Sequence, residues 1–224
     1  MSHASAVKAG RPAIDERALG AFSLRACGAM VPQDWRATAE AWGVNWLESL
    51  SREGADRISE RIAADRHAAD RVVVSIHWGG NWGYEVCREE REFAHRLIDA
   101  GAVDVVHGHS SHHPRGIEAY RHKLILYGCG DFLNDYEGIA GYESFRPELT
   151  LMYFLELDAG SGDLERLTLV PMSVHRLRIQ HAPAEASRWL ARTMDRECRR
   201  LGARVTRQGN GTLSLSPGPV QPVR

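Results

Sequence analysis

Four of the chain's eleven histidines fall between Val105 and Tyr120, as His107, His109, His112 and His113. His77 follows another apolar run and opens a Gly-rich loop, His77-Trp78-Gly79-Gly80. A further loop of this kind, Gly128-Cys129-Gly130-Asp131, ends in a carboxylate. Imidazoles that are neutral near pH 7 are good ligands for zinc, iron or manganese. Carboxylates beside them, here Asp131 or Asp135, can share an ion or orient a ring. Glycines let the backbone approach a bound group closely. These residue types point to a metal site, with a cluster of structural hydrogen bonds as the plainer alternative. His3, His67, His95, His122, His175 and His181 lie in helices, loops or terminal segments without such neighbours and read as polar surface residues.

Three strands must bring these loops together. Residues 72–76, 103–106 and 124–127 are short apolar runs of the kind buried on both faces of a parallel sheet. Each precedes one of the loops, and open α/β sheets bind ligands at the carboxyl ends of their strands. Residues 88–101 form an amphipathic helix, with Phe93, Ala94, Leu97 and Ile98 on one face and Gly101 as its stop. It has the length a crossover between the first two strands requires. An earlier helix is expected within 44–70, where Ala55, Ile58, Ile62 and Ala69 recur at helical spacing. Residues 21–31 read as a strand ended by Pro32. After residue 148 the pattern changes to an antiparallel pair, 149–157 and 164–175. A helix over 183–202 and a small hairpin turning near Asn210-Gly211 follow. The class is mixed α/β, with one domain over 1–216 and a disordered tail over 217–224.

The 28 basic and 29 acidic residues nearly cancel, so charge gives no attraction to nucleic acid or to a membrane. Arg188, Arg192, Arg196, Arg199 and Arg200 read as the solvated side of a helix. No apolar run has the length of a membrane span, and the N-terminus lacks the apolar core of a signal peptide. Cys27, Cys87, Cys129 and Cys198 form no C-x-x-C pair and no evident disulfide framework, which favours a reducing, cytoplasmic setting.

The segments VVVSIHWGGNW, FAHRLIDAGAVDVVHGHSSHHPRGIEAY and LILYGCGDFLND resemble the poly-gamma-glutamate capsule-synthesis (CapA) family. An H-W-G strand end, a helix ending Leu-Ile-Asp-Ala-Gly, G-H-x-x-H, Ile-Glu-x-Tyr and a strand before a Gly-rich loop occur in that family's order. The resemblance runs from about residue 70 to 136 without a gap, and more weakly to about 176. It implies a sandwich like that of the calcineurin-type metallophosphoesterases and two-metal hydrolysis with divalent Mn, Zn or Fe. His77 resembles the family's single ligand histidine, and His109 and His112 the later pair. These three are the implied metal-binding and catalytic residues, with His107 and His113 beside them. Ser110 and Ser111 replace the commoner His-Pro, Asn81 stands where Glu is frequent, and Asp131 stands where the family has Asn. The family's N-terminal Gly-Asp, Asn-Leu-Glu and Asn-Asn-His elements have no counterpart here. The fold is therefore expected to be incomplete at its N-terminus, with an exposed sheet edge at or beside 72–76 that invites self-association.

The implied function is metal-dependent hydrolysis of a small-molecule or polymer substrate in poly-gamma-glutamate, capsule or cell-envelope metabolism. One alternative is a degenerate binding or assembly protein that keeps the fold without catalysis. Another is a mononuclear metal module of different chemistry.

Overall fold

The computed structural model describes residues 22–24, 36–134 and 139–217. Its first sheet has six strands: β1 (Phe22–Leu24), β2 (Asn45–Leu47), β3 (Val73–His77), β4 (Val105–His109), β5 (Ile117–Tyr120) and β6 (Lys123–Leu126). Their spatial order is β2-β1-β3-β4-β6-β5. All neighbours are parallel except the β5–β6 hairpin. The second sheet comprises β7 (Leu149–Leu157), β8 (Leu164–His175), β9 (Arg178–His181), β10 (Ala203–Arg207) and β11 (Leu213–Pro217). Its order is β10-β11-β8-β7, with β9 also paired to β8. The helices are α1 (Arg52–Asp65), α2 (Arg88–Asp99) and α3 (Ala184–Arg199). The mixed α/β class and the expected adjacency β3-β4-β6 are both present.

Side-chain alternation on the first sheet builds two cores. Val74, Ile76, Val106 and Ile125 point to one face and pack with Ala55 and Ile58 of α1 and Phe93 and Leu97 of α2. Val105, Leu124, Leu126 and Ile117 point to the other. They meet Leu149, Leu151, Leu167 and Leu169 of the second sheet and Leu190 and Met194 of α3. Each of these valine, leucine, isoleucine, phenylalanine and methionine side chains, fully buried, contributes about 1.5–3 kcal/mol before entropy is counted.

Several expectations are corrected. β3 is not buried on both faces: Val74 and Ile76 are buried, while Val73 is 58 % exposed. Nor is β3 an edge, because β1 and β4 flank it. Among the described residues the edge on that side is β2. Helix α1 begins at Arg52 rather than near residue 44, because Ser51 caps it by accepting the Gly54 N–H at 3.1 Å. Asn45–Leu47 pairs with β1 instead, and Ala69 lies beyond the helix. The helix α2 stops where expected, with Gly101 at φ 71°. The run after β8 is broken by Arg176 and Leu177, both left-handed at φ 51° and 55°, which turn the chain back as β9.

His95 is no isolated surface residue: its ring stacks on Tyr120 at 3.6 Å between centroids. Cys129 and Cys198 are free thiols, each pushed up to about 12 by burial. Cys87 is disulfide-bonded, with its partner outside the described residues, so the cysteines do not argue for a reducing compartment. No helix among the described residues is long and apolar enough to cross a membrane. His3, Cys27, Pro32, Asp135 and the tail after Pro217 lie outside the described residues, as does the expected 21–31 strand apart from Phe22–Leu24.

Candidate functional site

Parallel pairing sets the centre of the site. β3 and β4 run in register from Val73↔Val105 to His77↔His109, so the last two residues stand side by side on one face. Their ring centroids are 5.1 Å apart at 76°. The Trp78 N–H donates to the His109 carbonyl at 2.9 Å and carries the ladder one step past the strand. His107 shares the face two residues earlier, 5.7 Å from the His109 ring, with Nδ1 3.0 Å from Ser75 Oγ. Burial, reinforced by His77 and His107, drives His109 down to about 4. Burial also lowers His77, with a smaller contribution from His112, and lowers His107. These rings are neutral at pH 7, with a lone pair on one nitrogen. Neither His77 nor His109 makes a side-chain hydrogen bond among the described residues.

His112 comes from the loop after β4. Ser110 takes φ 136°, unusual for a residue with a side chain, and its Oγ donates to the Gly79 carbonyl at 3.3 Å. The His112 N–H donates to the Asn81 carbonyl at 3.0 Å, which ties this loop to the one after β3. His112 Nδ1 lies 2.9 Å from Asp131 Oδ2, so the carboxylate at the end of the third loop orients this ring. His113 turns away from the crevice and is fully buried. The Gly83 N–H donates to its Nε2 at 3.1 Å, and Nδ1 stands 3.1 Å from the Pro114 carbonyl. One neutral tautomer, protonated at Nδ1, satisfies both contacts. Burial drives its pKa down to about 4, so His113 is a brace between loops.

Two supports were not legible in the histidine pattern. Arg115 and Glu90, both buried, form a bidentate pair at 2.9 Å beneath the loops. Arg115 also donates to the Tyr127 carbonyl at 3.2 Å and to the Glu85 carbonyl. A Cβ at Gly79 or Gly128 would strike this arginine, which gives both glycines a packing reason. The second support is aromatic. Trp82 stacks on Tyr142 at 4.1 Å and 3°, and lies 5.3 Å from the His112 ring. Tyr84 and Phe145 each lie 4.7 Å from the His113 ring. The signal in the sequence was the recurrence of Trp82 and Tyr84 within the same Gly-rich run as His77.

The donors suit a divalent ion: two neutral imidazoles at fixed separation, with a carboxylate-oriented third nearby. They do not make a closed cage. Among the described residues no three His, Cys, Asp or Glu side chains converge as a metal-binding group.

A family model described as bacterial capsule synthesis protein PGA_cap matches residues 3–136, reaching well before residue 70. The chain is 47 % identical over 204 residues to a probable polyglutamine synthesis accessory protein of Mycobacterium tuberculosis, covering 90 % of this chain and 53 % of that one. It is 32 % identical over 114 residues to the PGA biosynthesis protein CapA of Bacillus subtilis, covering 51 % of this chain and 28 % of the relative. With the capsule biosynthesis protein CapA of Bacillus anthracis it shares 29 % identity over 118 residues, covering 53 % and 26 % respectively. The chain thus spans about half the length, or less, of these curated relatives. The match over residues 3–136 includes both histidine-bearing strands and all three Gly-rich loops, and the chain belongs to the bacterial capsule synthesis PGA_cap family.

Proposed function

We propose that this chain carries part of a metal-dependent hydrolytic centre acting in polyglutamate or capsule-polymer metabolism. The observation that carries the reading is the in-register pair His77 and His109, desolvated and without hydrogen-bond partners among the described residues at the carboxyl ends of adjacent strands. The names of the relatives supply the polymer context.

His77 and His109 would hold a divalent ion through neutral ring nitrogens; His112 does not converge with them in this structure and would join as a third donor only where a bound ion draws its loop inward. Such an ion, when bound, polarises a phosphoryl or carbonyl oxygen and makes water a stronger nucleophile. Asp131 fixes the orientation of the His112 ring through Nδ1. Burial keeps His77 and His109 unprotonated, so a proton does not compete with the ion near neutral pH. Trp82 packs beside His112 and narrows the water-accessible side of that ring.

The test is equilibrium binding of manganese and zinc, with bound metal measured by elemental analysis, on the wild type, His77→Ala and His109→Ala. Loss of tight binding in both variants supports the reading. Unchanged stoichiometry in either sinks it. Metal-dependent turnover of a generic phosphodiester and of a γ-glutamyl amide then assigns the bond.

A further inference from the structure

The arginines of α3 are solvated, but they are not evenly spread. Residues 184–207 hold seven arginines against three acids, in a chain whose net charge is -1. Arg188, Arg192, Arg196 and Arg200 recur every fourth residue and form one slanting row along the helix and into its C-cap. All four are exposed. Glu197, 3 % exposed, lies under the last two: Oε1 is 2.6 Å from Arg196 Nε and Oε2 is 3.0 Å from Arg200 Nη1. One buried carboxylate thus fixes two guanidiniums and cancels only one of their charges. Arg188 and Arg192 make no hydrogen bond or ion pair among the described residues. Of the other two acids, Asp195 is paired with Arg199 and Arg204, and Glu185 stands in the first turn of the helix.

The row runs beside the loops of the histidine crevice. Arg196 Cζ stands 5.3 Å from the centre of the Tyr84 ring, and Arg146 Cζ stands 5.6 Å from the Trp189 ring. Tyr84 belongs to the loop after β3 and lies 4.7 Å from the His113 ring. Trp82, of the same loop, lies 6.0 Å from His113 and 5.3 Å from His112. Tyr84, His113 and Trp82 therefore link Arg196 to His112 through ring contacts alone. The helix and the histidines also share one side of the first sheet. Val105 packs into the core that holds Leu190 and Met194 of α3, and Val105, His107 and His109 alternate to the same face of β4.

We propose that Arg188, Arg192, Arg196 and Arg200 form a binding track for a polycarboxylate chain, held alongside the histidine crevice. That the chain is a glutamate polymer rests on the function proposed for the histidines. The row extends about 18 Å, twelve residues at helical rise, which is too long for one carboxylate and fits several carried by one chain. Each guanidinium takes a carboxylate in charge-assisted hydrogen bonds, and contacts made by one chain reinforce each other. A nucleic acid fits the row poorly. Single strands are held by bases stacked on open rings, whereas the rings beside this row, Tyr84 and Trp189, already carry the guanidiniums of Arg196 and Arg146.

The test follows the anisotropy of a labelled γ-linked oligoglutamate titrated with the 224-residue chain, beside free glutamate and a single-stranded DNA of equal charge as competitors. The oligomer should bind in a salt-dependent way, with free glutamate weaker by about a hundredfold or more and the DNA weaker as well. Arg192→Glu should weaken the oligomer by about tenfold, since reversal removes one attraction and adds one repulsion. It should leave the melting temperature unchanged, because Arg192 is exposed and holds no partner among the described residues. Arg192→Lys should keep most of the affinity. Arg61→Glu, the same charge change on α1 across the first sheet, should alter it by less than about twofold. Oligomer binding that ignores Arg192→Glu, or that falls equally in Arg61→Glu, overturns the proposal. So does DNA that binds as tightly as the oligomer. A chain that binds metal but no oligomer overturns the track and leaves the histidine centre standing. Oligomer binding through Arg192 in a chain whose metal content ignores His77→Ala and His109→Ala supports the track and overturns the centre.

Discussion

Asp131 meets His112 at Nδ1, and a carboxylate in that position holds the orientation of the ring. Asp131→Ala should weaken divalent-metal binding by about 10–100-fold while leaving the stoichiometry unchanged. Competition with a chelating dye measures it. His113 carries a pH dependence. Its pKa is about 4 when folded and near 6.5 when unfolded, so the unfolded chain binds the proton more readily between those values. Its stabilisation is complete above about pH 6.5 and is lost as the pH falls toward about 4, on the order of 3 kcal/mol in all. Urea titrations at pH 7, 6 and 5 should show this fall. His113→Gln should be less stable at pH 7 and show a shallower fall, with the remaining slope supplied by the other lowered imidazoles, His77, His107 and His109. The sequence shows that imidazoles cluster at strand ends, because His77 and His109 each follow an apolar run. It does not show that His113 points inward, since that depends on contacts from Gly83 and Pro114 across loops.

Elements with strong periodicity announce themselves. The spacing of Phe93, Ala94, Leu97 and Ile98 defines α2, and the alternating runs around Ala159–Gly162 define the β7–β8 hairpin. Short elements with polar content do not. β2 has three residues and sits inside a run that reads as helical. β5 contains Glu118, buried because Arg91 and the Tyr127 hydroxyl meet it at 2.7 and 2.8 Å. Burial alone would raise that carboxyl, but its hydrogen bonds from His95, Arg91 and Tyr127 outweigh this and hold it lower. A buried acid breaks the apolar signature that would have marked the strand. Within β4 the sensitive position is Gly108, where a Cβ would collide with the Trp78 indole nitrogen and the carbonyls of Leu126 and Tyr127. Backbone oxygens yield little, so Gly108→Ala should cost about 3 kcal/mol. Thermal melts should show a drop of about 6–12 °C for a chain of this size.

Across the whole molecule, the first sheet belongs to both cores at once. Val105 faces the second sheet while Val106 faces the helices, and Leu124 and Ile125 divide in the same way. Neither core can melt without stripping one face of the same strands. Val106→Ala and Leu124→Ala should therefore lower a single shared transition, by about 2–5 kcal/mol for the leucine. Coincident near-ultraviolet and far-ultraviolet melts, with calorimetric and van't Hoff enthalpies in agreement, would establish it. Two resolved transitions would show that the layers are independent.

The register His77↔His109 has an evolutionary consequence. The distance between these positions is dictated by the spacing of adjacent strands, which any pair of residues would inherit. Side-chain identity and backbone geometry are thus separable at this one place. Cysteines at both positions would favour soft ions, and aspartates would favour hard ones, without a new loop or a new strand. On the proposed reading, a lineage built on this ladder would change the ion it prefers by substitutions at these two positions alone, leaving both strands as they are.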